Sequence, residues 1–185
     1  MGMNITVEDI YSINHSSMKD AVVLFDGGCT GEIVSDQGLL LTNHHCGFDW
    51  IQYHSTVEHD YLTHGFWAMS KEEELPCPGI SAVMLKSMED VTERVLEGVT
   101  KETSNDERAE IVTANIKKIK EEAEANSDYQ VIIKSFYHGN KYYMIYNEVF
   151  KDVRMVGAPP SNIGKFGGDT DNWVWPRHTG DFSVF

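Results

Sequence analysis

The chain has 185 residues, enough for one domain with a real core, and its 41% hydrophobic and 24% charged residues are ordinary for a globular protein. A net charge of −14 argues against nucleic acid, which demands a basic surface, and against docking on anionic membrane. No apolar run approaches the ~20 residues that span a bilayer, and the positive and apolar regions of a signal peptide are both missing. The expectation from that start is a cytoplasmic protein, or a chain that begins after its signal. The first six residues formally fit a myristoylation pattern, but the match is too short to carry weight.

Thr6 to Met18 reads as a short helix capped by Thr6, with Ile10 and Ile13 turned inward. Ala21 to Phe25 is a compact apolar run of strand type, and Asp26-Gly27-Gly28 is a turn. Thr30–Ser35 and Leu39–Thr42 flank Asp36-Gln37-Gly38, a hairpin signal with Gly at the bend. The second strand delivers the chain to Asn43-His44-His45-Cys46-Gly47. From Gly47 to Ser70 neither helical nor strand periodicity is clean. An ordered loop anchored by Trp50, Tyr53, Tyr61, Phe66 and Trp67, with a helical turn or two, is expected there.

Ile80 to Leu85 looks like another strand, and Ser87 with Glu89 and Asp90 signals a helix running towards Gly98. Ser104 and Glu107 form a capping-box pattern ahead of Ala109, Val112, Ile116, Ile119 and Ala123, which recur at helical spacing. The charged run Lys117–Glu124 is the solvated face of that helix. Tyr129–Tyr137 and Lys141–Val149 make a second hairpin around His138-Gly139-Asn140, Val153–Val156 continues extended, and Pro159-Pro160 ends it. The glycines and proline of 167–181 exclude a long helix, and Asp181-Phe182-Ser183-Val184-Phe185 reads as a strand cut in its middle. The pattern is mainly β with helical excursions, a barrel or sandwich carrying an insertion.

Imidazole titrates near neutral pH, so a positioned His at the end of a strand can take and return a proton within one cycle. Zinc is one use for such a corner. His44, His45, Cys46, His54, His59 and His64 cluster in sequence, but their spacing matches neither H-E-x-x-H nor a Cys/His finger. No metal and no cofactor is the favoured reading, with a zinc site over the His44–His64 cluster as an alternative. Three cysteines leave one over if two pair, and no C-x-x-C is present. Nucleophilic catalysis is the other use. It needs a base, an orienting carboxylate and a nucleophile. The carboxylate candidates are Asp169, Asp171 and Asp181, and no Ser sits in a Gly-Asp-Ser-Gly or G-x-S-x-G setting.

The block Thr42-Asn43-His44-His45-Cys46 is similar to the one around the catalytic His of chymotrypsin-like enzymes, and that comparison selects His45. It also implies a bridge from Cys46 to Cys29, leaving Cys77 unpaired, and Asp181-Phe182-Ser183-Val184 resembles the catalytic Asp with its following strand. Longer stretches narrow the resemblance. These are Gly28-Cys29-Thr30-Gly31-Glu32-Ile33-Val34-Ser35, Leu39 to Gly47, Gln52 to Leu62, and Asp171-Asn172-Trp173-Val174-Trp175-Pro176-Arg177-His178-Thr179-Gly180-Asp181. Together they resemble the S46 peptidase family, bacterial dipeptidyl-peptidases of the DPP7 and DPP11 type, over nearly the whole chain.

That resemblance implies the N-terminal barrel portion of a chymotrypsin-like double β-barrel. Residues 1–185 would form a single partial peptidase domain with a helical excursion at about 87–127. The second barrel and an inserted helical domain would lie beyond Phe185. It implies a periplasmic or secreted serine exopeptidase that releases dipeptides from the N-terminus of oligopeptides, and it admits a homodimer in the full-length protein. His45 matches the family's base and Asp181 its orienting Asp. Asn172, Trp173 and Arg177 match the residues that hold the free N-terminus of the substrate. An amide oxygen and an aromatic wall suit an ammonium, whereas Arg177 would bond a substrate carbonyl or a neighbouring carboxylate. A non-catalytic peptide-binding relative is the remaining alternative.

Overall fold

Hairpin turns and short apolar runs set most of the architecture. The computed structural model describes residues 2, 4–164 and 180–185. It is mostly β with several helices. After a single helical turn, α1 (Val7–Ile10), come the strands β1 (Val22–Phe25), β2 (Cys29–Ile33) and β3 (Leu40–Thr42). Helices α2 (His44–His54) and α3 (Tyr61–His64) follow, then the short strands β4 (Phe66–Trp67) and β5 (Leu75–Pro76). The long strand β6 (Ala82–Asp90) leads into α4 (Thr92–Val95) and α5 (Asn105–Glu124). The chain closes with β7 (Gln130–Phe136), β8 (Lys141–Phe150), β9 (Arg154–Met155), β10 (Gly157–Ala158) and β11 (Ser183–Val184).

The chain divides into two compact units, one of Met1–Asp20 and Met84–Val149, the other of Ala21–Val83 and Phe150–Phe185. In the first, β6, β8 and β7 lie side by side in that order. The antiparallel hairpin β7–β8 turns through Tyr137, His138 and Gly139, all at positive φ. Helix α5 carries the capping box of Ser104 and Glu107, with both reciprocal bonds made. Its buried Val112 and Ile119 pack with Val91, Val95, Val131, Tyr142 and Met144 into one core. In the second unit the strand order is β4-β10-β11-β3-β2-β1, with every neighbouring pair antiparallel. The β1–β2 turn takes positive φ at Asp26 and Gly27, and the β2–β3 turn takes it at Gly38, where a side chain would be strained.

Three helix expectations need correction. The helix over Thr6–Met18 is only one turn. Thr6 and Asp9 cap it reciprocally, but Tyr11 is already extended, and Ile10 and Ile13 remain about half exposed. The helix expected from Ser87 starts at Thr92 instead, because β6 continues to Asp90, whose carboxylate then accepts the Thr92 N–H at 2.9 Å. The region read as loop after Cys46 contains an 11-residue helix, α2, that begins at His44 itself.

Candidate active site

The site lies in the second unit, where β3 ends and α2 begins. Asn43 is extended (φ −71°, ψ 153°) and stands at the N-cap of α2, yet its side chain does not cap the helix. The carboxamide points away and donates from Nδ2 to Asp181, to the main-chain O at 3.3 Å and to Oδ2 at 3.2 Å. The first turn of a helix leaves amide N–H groups without intrahelical acceptors, and an acid there is favoured by the helix dipole. Asp181 meets that need from elsewhere in the sequence. Its Oδ1 accepts the His45 N–H at 3.2 Å, while its Oδ2 lies 2.9 Å from His45 Nδ1. A carboxylate only accepts, so Nδ1 carries the proton, which in the neutral ring leaves the lone pair on Nε2. The His45 side chain is 42% exposed and that of Asp181 22%, so the imidazole faces solvent while its partner is largely covered.

Strand β11 sets the position of Asp181. It pairs with β3 through Ser183↔Thr42 and Val184↔Leu41, and Leu40 and Phe185 exchange main-chain bonds at 2.7 and 2.9 Å. Buried Ser183 donates from Oγ to Asn43 O at 2.9 Å. Gly47 makes the approach of α2 possible, because a Cβ there would stand 2.6 Å from Ser183 Oγ and 3.0 Å from the Phe185 ring. A disulfide joins Cys46, next to His45, to Cys29 at the start of β2, with the Cα atoms 6.1 Å apart. Cys77 is a buried free thiol, and burial pushes it up to about 11.

The other histidines separate. His44 is 2% exposed, with Nε2 3.3 Å from Ser161 Oγ, and burial lowers its pKa from the ordinary value. His54 Nε2 donates to Pro76 O at 3.1 Å, and the His59 ring stacks on Tyr61. With Cys46 bonded to Cys29, the zinc alternative over His44–His64 loses its thiolate. Among the described residues no group of three or more His, Cys, Asp or Glu is gathered to hold a metal. Asn172, Trp173 and Arg177, with Asp169 and Asp171, lie outside the described residues.

The structure therefore brings together His45, Asp181, Cys29 and Cys46. Sequence reasoning missed Asn43, the hinge of the arrangement, and the turn at Ser161 on which buried His44 rests. An Asn just ahead of a helix is an N-cap signal that points to a start at His44, but with no apolar stripe behind it that signal does not reveal α2 by itself. Nothing local shows that the Asn side chain serves Asp181, 138 positions away.

The chain has close counterparts among known proteins. The model of the Peptidase S46 family matches residues 1–185. The chain is 56% identical over 185 residues to an Asp/Glu-specific dipeptidyl-peptidase of Flavobacterium psychrophilum, covering all of this chain and 26% of that protein. It is 52% identical over 191 residues to a dipeptidyl-peptidase 7 of Phocaeicola vulgatus, with the same coverage. Its structure superposes on Porphyromonas endodontalis DPP11 in complex with the dipeptide Arg-Glu with a TM-score of 0.78 at 51% identity, covering 99% of this chain and 28% of that one. The chain thus spans about a quarter of the length of the curated relatives it matches.

Proposed function

This chain belongs to the peptidase S46 family, and from that membership we propose that it supplies the general base and the orienting carboxylate of a serine dipeptidyl-peptidase. In that enzyme His45 Nε2 takes the proton of a serine hydroxyl as its oxygen attacks the scissile carbonyl. The same nitrogen then gives the proton to the leaving amine, and activates a water to release the acylated dipeptide. Asp181 fixes the tautomer and stabilises the imidazolium between the two transfers. The nucleophilic serine lies outside these 185 residues, in the longer protein, whose second barrel and helical domain follow this partial domain. Asn172 and Trp173 hold the α-ammonium of the peptide and Arg177 bonds a substrate carbonyl or a neighbouring carboxylate, which together limit the product to a dipeptide.

The observation that carries this reading is the double hold of Asp181 on His45, through Nδ1 at 2.9 Å and through the main-chain N–H at 3.2 Å. A carboxylate bound at one point can swing, whereas one bound to ring and backbone fixes the ring plane relative to the helix. Supporting it, the relatives carry dipeptidyl-peptidase names and one neighbour holds a dipeptide. A disulfide beside the base suits a periplasmic or secreted setting, since such bonds persist in oxidising compartments.

The test is hydrolysis of fluorogenic dipeptidyl amides with a free N-terminus. The full-length protein should turn them over, and the 185-residue chain alone should not. His45→Ala in the full-length protein should cost on the order of 10⁶-fold in kcat, as loss of a triad base does. Turnover that survives this change, or robust turnover by the isolated chain, would overturn the assignment.

A further inference from the structure

We propose that His44 is a positioning residue for the Asp181 carboxylate, acting through the Ser161–Gly164 turn; the proposal rests on the reading of His45 and Asp181 as base and orienter. The two adjacent histidines leave the first turn of α2 in different directions. His45 meets Asp181 directly. His44 is buried, and its Nε2 lies 3.3 Å from Ser161 Oγ. Its ring also rests on Gly164, where a Cβ would come within 2.2 Å of Cδ2 and 2.7 Å of Nε2. The turn between those two contacts is tight. Ile163 and Gly164 both donate main-chain N–H to Pro160 O, at 2.9 and 3.0 Å, and Ser161 N–H is fixed on Leu62 O at 2.8 Å.

This turn reaches the site through one further bond. Ile163 O accepts the Gly180 N–H at 2.9 Å, and Gly180 immediately precedes Asp181. The contacts close a circuit from His45 to Asp181, Gly180, Ile163 and Gly164, and back to His44 on the same helical turn. Asn43 and the His45 amide hold the carboxylate from the α2 side, and the His44 circuit holds the backbone that presents it from the other. Simple space-filling does not call for an imidazole here. Burying a polar ring costs free energy that an apolar ring of similar size avoids, so the bond to Ser161 is the feature a Phe could not supply.

The experiment measures kcat and KM of the full-length enzyme with Ser161→Ala, His44→Phe, His44→Gln and Asp181→Asn, alone and combined. Ser161→Ala and His44→Phe should each lower kcat about five- to tenfold, with KM within about twofold, the scale of one lost hydrogen bond. His44→Gln, which keeps a nitrogen at the reach of Nε2, should recover most of the loss. In the Asp181→Asn background Ser161→Ala should have no further effect, because the group it positions is gone. Losses that simply multiply, or a His44→Phe enzyme equal to wild type, would overturn the proposal and leave the base assignment standing. Ser161→Ala keeps the test decisive if His44→Phe fails to fold. Undiminished turnover in Asp181→Asn alone would overturn the reading of Asp181 itself, and the proposal with it.

Discussion

Asp181 serves two groups at once, a first-turn amide of α2 and the ring of His45, and Asn43 gives up its own capping bond to hold it. Of these residues His45 and Asp181 could be chosen from the sequence, but only through the resemblance of the blocks around them. Residue chemistry alone left Asp169, Asp171 and Asp181 equal, since each is an Asp near glycine with no local feature marking a long-range partner. The pairing of Cys29 with Cys46 was open for the same reason, because connectivity is a tertiary property. It can be checked by thiol titration of the isolated chain without reductant. The folded chain should show no reactive thiol, since Cys77 is 1% exposed and pushed up to about 11. The denatured chain should show a single thiol, where three would mean that the bridge is absent. Reducing the bridge, which closes a 17-residue separation, should lower stability by about 3 kcal/mol on the chain-entropy account.

Elements with a strong local grammar were legible. The hairpins β2–β3 and β7–β8 announced themselves through Gly at the bend between apolar runs. Helix α5 did so through its capping box and its stripe of Val112, Ile116, Ile119 and Ala123. Helix α2 was not legible. Its buried positions, His44, Gly47 and Ile51, do follow the i, i+3, i+7 spacing of a helix face, but two of the three are not apolar, so no stripe is visible. Its remaining His and aromatic residues are weak helix formers, and tertiary contacts with β11 override that weakness. The helix signal at Ser87 failed in the opposite sense, because pairing within a sheet carried β6 to Asp90. Gly47 tests this account of α2. In an exposed helix Gly→Ala would add about 1 kcal/mol of stability. Here a Cβ would stand 2.6 Å from Ser183 Oγ. Gly47→Ala should therefore lower the melting temperature and reduce kcat, as the Ser183–Asn43 contact is displaced. A more stable variant with full activity would contradict it.

At the scale of the whole molecule, the mainly β character and the family were both readable from sequence, the first from strand and turn signals and the second from long motifs. The excess of acidic residues argues against nucleic acid and anionic membrane as partners but says nothing of a peptide, because recognition of an ammonium depends on a few placed groups and not on net charge. The division into two units was not legible, since the first is assembled from separate stretches on either side of residues 21–83. On the proposed reading, what the second unit contributes to catalysis is the base and its orienter; the structure holds His45 and Asp181 at the ends of β3 and β11 by strand pairing, a helix start and a disulfide. The measurement that tests this most directly is the kcat of Asp181→Asn in the full-length enzyme. The carboxamide keeps the size of the side chain but favours the wrong tautomer of His45, so kcat should fall about 10⁴-fold with KM little changed. A kcat within about twofold of wild type would contradict the assignment of His45 and Asp181 as the catalytic pair.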